Sequence, residues 1–164
     1  MILIMLGCLG LSLVTYIAWT FIHEFSHALF GKIFLGATDF KYCWLPKKEE
    51  DGWTVASVQM SCDIEKMTNT NLGLMSAAPA IINLIAILLF AFLANGAWGW
   101  WSATLNIFLF GGFVDLLSNT FAKKTETDIK KVAEYTHIPL KSWQLTVVLV
   151  CVACFAGGAV RMFT

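Results

Sequence analysis

The chain has 164 residues, 58% of them hydrophobic and 13% charged, with 11 basic against 11 acidic side chains. Soluble domains carry about 25% charged residues, so this composition excludes a disordered tail, and the balanced charge gives no reason to expect a nucleic-acid partner. One domain spanning residues 1–164 is expected, with most of its apolar surface facing lipid.

Four apolar runs are long enough to cross a bilayer, which takes about 20 helical residues at a rise of about 1.5 Å each. They are Met1 to Phe30, Leu72 to Ala94, Trp98 to about Phe121, and Trp143 to Phe163. Trp98, Trp100, Trp101 and Trp143 stand at run ends, where indole rings favour the interface. Residues 1–22 lack the basic start of a signal peptide and read as a retained span. The fold class expected is therefore an all-α membrane protein with four transmembrane helices. Such a path puts Lys32, Lys41, Lys47, Lys48, Lys66, Lys123, Lys124, Lys130, Lys131 and Lys141 on one side and Arg161 alone on the other. The positive-inside rule makes the Lys-rich side cytoplasmic and both termini non-cytoplasmic.

The first run ends in His23-Glu24-Phe25-Ser26-His27, an HExxH motif. On a helix the two histidines at i and i+4 share a face and can bind one Zn²⁺ through imidazole nitrogens, while Glu24 is placed to accept a proton from a water in the open position. A polar triad inside an apolar run needs compensation, which a metal with further ligands supplies. Lys32 follows five residues after His27, which puts the motif roughly 7 Å inside the cytoplasmic helix end at about 1.5 Å per residue.

After this helix, residues 38–45 alternate, with Phe40, Tyr42 and Trp44 on one face, and residues 53–60 are rich in β-branched side chains. PKKEEDG between them is a turn, so a small cytoplasmic β-hairpin is expected, and its edge could receive an extended peptide. In the second run Pro79 kinks the helix and Asn83 reads as a bridge between helices.

A catalytic zinc site needs a third protein ligand. Asp115, the one acidic residue within the other three spans, lies at matching depth, with Gly111 and Gly112 before it to allow close helix approach. Asp128 competes for the role, provided the chain folds back, and His137 reads as a loop residue. Asn106, nine residues before Asp115, is a candidate for orienting substrate. Residues 127–136 form a short amphipathic helix with Ile129, Val132 and Ala133 on one face and Pro139 beyond its end. Cys151 and Cys154 form a CxxC inside an apolar helix and read as packing residues.

From about residue 19 to residue 121 the chain resembles the site-2 protease family of intramembrane zinc metalloproteases. HEFSHALFGKIFLGA resembles the family's HExxH helix and the segment after it. SAAPAIINL resembles its Gly-Pro-x-x-Asn-containing helix, with Ala78 where Gly is usual, and FGGFVDLLSN resembles the helix that brings the Asp ligand. The resemblance implies a zinc hydrolase that cleaves transmembrane protein substrates near the cytoplasmic face. Its four-span members carry PDZ domains between spans two and three, where this chain has only NGAWGW. The family's third ligand sits in Asn-x-x-Pro…Asp-Gly. Here Asp115 is followed by Leu116, and Asn119 with Asp128 comes nearer to the Asn-to-Asp spacing. The other reading of the same motif is a non-catalytic zinc-binding membrane regulator, which a closed fourth ligand would favour.

Overall fold

The computed structural model describes residues 2–49, 52–54, 56–94, 100–122 and 127–162. Residues 95–99 with Trp98, and Lys123 and Lys124, lie outside them, as do the side chains of Cys8, Trp100, Trp101, Cys154 and Arg161.

Five helices dominate: α1 (Ile2–Leu35), α2 (Asn69–Ala94), α3 (Trp100–Phe121), α4 (Asp128–Thr136) and α5 (Leu140–Met162). Two of them carry stretches long and apolar enough to cross a membrane among the described residues: Asn69–Leu89 in α2 and Thr104–Phe121 in α3. In α5 the apolar stretch is shorter, Leu140–Ala153. The four-span expectation is thus met at two of its four positions, because polar residues of the HExxH motif dilute the described part of α1 and the described apolar part of α5 is brief. The outward surfaces of these helices are nonetheless greasy. Leu9, Leu13 and Phe25 of α1, Ile85 and Leu88 of α2, Phe110 of α3 and Leu149 of α5 are all exposed.

The helices meet at a small apolar centre formed by Trp19, Ile87, Phe113, Leu116, Val147 and Cys151. Trp19 is 1% exposed, and its indole Nε1–H donates to the Phe108 carbonyl at 2.7 Å, so a polar group on a buried ring is satisfied by α3. The Trp19 ring packs close to Gly111 and Gly112: a Cβ on Gly112 would run into its ring atoms, and one on Gly111 into Thr15 and the ring. Helix propensity favours Ala over Gly by about 1 kcal/mol, whereas overpacking of a rigid ring costs about 1–3 kcal/mol. Gly112→Ala is therefore expected to lower the thermal unfolding midpoint despite its better propensity, and an unchanged or higher midpoint would contradict this packing.

α1 stops where Gly36 takes a left-handed φ of 59° and the Ala37 N–H closes onto the Gly31 carbonyl at 3.0 Å. The expected hairpin follows in two antiparallel parts. β1 (Thr38–Cys43) pairs with β4 (Ser57–Ser61), and β2 (Lys47–Glu49) pairs with β3 (Gly52–Thr54). Tyr42 and Trp44 stack at 5.2 Å, and Trp44 meets Phe21 of α1 at 4.1 Å, so the alternating aromatic face does pack the hairpin onto the first helix.

The amphipathic segment forms α4 as expected. Thr127 caps it by accepting from the Lys130 N–H, and Ile129 and Val132 are buried. His137 ends it in a left-handed conformation, as a cap and not as part of the site. α4 packs against α2, α3 and α5. Gly73 of α2 lets Tyr135 come close, and Trp143 at the start of α5 donates to the Thr136 hydroxyl. Cys151 is buried in the core, in keeping with a packing role.

Candidate metal centre

The HExxH segment lies wholly within α1, so the i, i+4 spacing acts as read: His23 and His27 stand on one face with ring centroids 5.2 Å apart. Each ring is fixed at Nδ1. His23 Nδ1 lies 3.2 Å from Asp115 Oδ2, and His27 Nδ1 lies 3.1 Å from the Met75 carbonyl oxygen. A carboxylate and a carbonyl can only accept, so both Nδ1 atoms carry protons and donate. Both Nε2 atoms are then the ones available to a metal.

Both Nε2 atoms converge on Asp128. His23 Nε2 is 3.0 Å from Oδ2, and His27 Nε2 is 3.2 Å from Oδ1. His23, His27 and Asp128 each offer a ligand atom, all within 4.8 Å of one another. In a tetrahedral zinc site with bonds of about 2.0–2.1 Å, neighbouring ligand atoms stand about 3.3 Å apart. The separations and the two-imidazole, one-carboxylate donor set both suit a divalent transition metal.

The expected third ligand, Asp115, takes a different place. It sits on α3 at matching depth and does reach His23, but at the outer nitrogen, where it orients the ring. Its Oδ2 also accepts from Asn83 Nδ2 of α2 at 2.6 Å, so the asparagine does bridge helices. Asp128 instead faces both Nε2 atoms, because the chain folds back after α3 and α4 begins beside the histidines. Asn119 makes that return specific. Its Nδ2 donates to Asp128 Oδ2 at 2.6 Å, and its Oδ1 accepts from the Asp128 backbone N–H at 3.2 Å. The Asn119-to-Asp128 spacing was the sequence signal for this assignment.

Glu24 is buried beside the histidines, 8% exposed. It accepts a hydrogen bond from the backbone of Val58, which brings β4 against the site. Val58 stands opposite Tyr42 in the β1–β4 pair. A backbone N–H used by Glu24 points away from β1, so this edge of β4 faces the HExxH helix. Asn106, the candidate for orienting substrate, is exposed and stands nine residues before Asp115 on α3, about 13 Å of helical rise at about 1.5 Å per residue.

No protein-family model, no curated protein and no solved structure matches the chain.

Proposed function

We propose that the protein is an intramembrane zinc metalloprotease of the site-2 type, with His23, His27 and Asp128 holding the metal and Glu24 as general base. The observation that carries this reading is the convergence of two Nδ1-anchored imidazoles and one carboxylate beside a buried glutamate, all built around HExxH. The exposed apolar surfaces of α1, α2, α3 and α5 support a bilayer setting, since soluble monomers rarely show such extended patches. In this reading α1 and α5 also span, the Lys-rich segments are cytoplasmic, and the termini lie on the opposite side.

Zinc, when bound, supplies a Lewis acid that lowers the pKa of water and polarises the scissile carbonyl. Glu24 takes one proton as the water oxygen bonds to the carbonyl carbon. It returns that proton to the nitrogen as the C–N bond breaks, giving a carboxylic acid and an amine. Asp128 and the two Nε2 atoms form one wall of the site, and the β4 edge forms another. A transmembrane helix keeps its carbonyls in internal hydrogen bonds, so a substrate must unwind before attack. An unwound segment laid along β4 would gain backbone hydrogen bonds in return and would pass Glu24.

The test is cleavage of a single-span reporter by the purified chain in liposomes. Cleavage that stops with a zinc chelator and returns on adding zinc is the expected result. A chain that binds zinc yet leaves a panel of such reporters intact would favour a zinc-binding regulator instead.

A further inference from the structure

Helix α2 contributes no ligand to the His23–His27–Asp128 cluster, yet it touches the anchors of both histidines. The first contact is through backbone. In an α-helix the carbonyl of residue i−4 is normally taken by the N–H of residue i. Pro79 has no N–H, so the carbonyl four residues earlier, that of Met75, is released from the ladder. That is the carbonyl to which His27 Nδ1 donates at 3.1 Å. One turn further along α2, Asn83 Nδ2 donates at 2.6 Å to Asp115 Oδ2, the same atom that accepts from His23 Nδ1.

Asn83 is 1% exposed, and its own Oδ1 finds no partner among the described residues. A buried amide that leaves its acceptor unpaired is held where it is by its donor contact. Pro79, too, is fully buried inside a helix, where its ring is a poor choice for helix stability alone. Two locally unfavourable residues, four positions apart, thus each serve one histidine.

We infer that α2 is the orienting element of the metal centre. Pro79, through the Met75 carbonyl, and Asn83, through Asp115, fix the Nδ1–H tautomer and the ring plane of His27 and His23. Pro79, Asn83 and Asp115 are positioning residues; none touches the reacting atoms. The inference rests on the metal centre proposed above and adds how its affinity is set. Partners of ligating imidazoles typically change metal affinity by about 10–100-fold.

The experiment measures zinc dissociation constants of the full chain in detergent, by competition with a chelator of known affinity, beside the thermal midpoint of each metal-free protein. Pro79→Ala restores a backbone N–H that competes for the Met75 carbonyl. It is expected to weaken zinc binding about 10–100-fold while leaving the metal-free midpoint unchanged or higher, opposite to what fold damage gives. Asp115→Ala is expected to weaken binding to the same extent. Asp115→Asn keeps an acceptor oxygen for Nδ1–H and should recover most of that loss. Pro79→Ala and Asp115→Ala proteins that bind zinc within threefold of wild type overturn the orienting role. So does a loss that tracks a lowered metal-free midpoint or that Asp115→Asn fails to relieve. A wild-type chain that takes up no zinc overturns the metal centre itself, a result separate from either.

Discussion

Glu24→Gln is expected to abolish cleavage while leaving zinc in place. The substitution keeps the size and hydrogen-bonding reach of the side chain but removes the carboxylate that accepts a proton. A general base of this kind contributes about 10²–10⁴-fold to rate, so turnover should fall by at least about a hundredfold. Glu24 is not a member of the His23–His27–Asp128 group, so zinc content should stay at the wild-type value. The paired measurement is the initial rate of reporter cleavage and zinc per chain on the same preparation. Wild-type turnover by Glu24→Gln would remove the glutamate from the chemistry.

Asp128→Ala is expected to cost the metal outright. It removes the one carboxylate that both Nε2 atoms face at 3.0 and 3.2 Å, leaving two imidazoles where a catalytic zinc site uses three protein ligands. The helix should persist, because α4 is held by buried Ile129 and Val132 and by the Thr127 cap. Zinc per chain should drop by about tenfold or more at a free zinc level that saturates wild type, with helical content preserved. Asp115→Ala at the same zinc level should retain far more metal, since only the outer nitrogen of His23 loses its partner. If the two variants exchanged behaviour, Asp115 would be the ligand and Asp128 the support.

Local features were the legible ones. The HExxH geometry depends on four residues of helix and nothing distant, so the sequence sufficed. The hairpin followed from alternation in 38–45, though not its division into two paired segments with an irregularity between Thr38 and Lys41. The amphipathic pattern of 127–136 located α4 within a residue. The third ligand depended on long-range placement. Depth along α3 correctly brought Asp115 to His23, but depth says nothing about which ring nitrogen it meets, and that alone separates a ligand from a ligand's partner. Met75 was invisible for another reason: its contribution is a backbone carbonyl, which carries no residue signature. Its only trace is Pro79, four residues on, read from sequence as a kink.

The third donor comes from a short helix that follows the first three long ones, roughly a hundred residues after the histidines. During synthesis, His23, Glu24 and His27 therefore emerge well before Asp128, which completes their cluster. The His23–His27–Asp128 group closes only once α4 docks against α2 and α3.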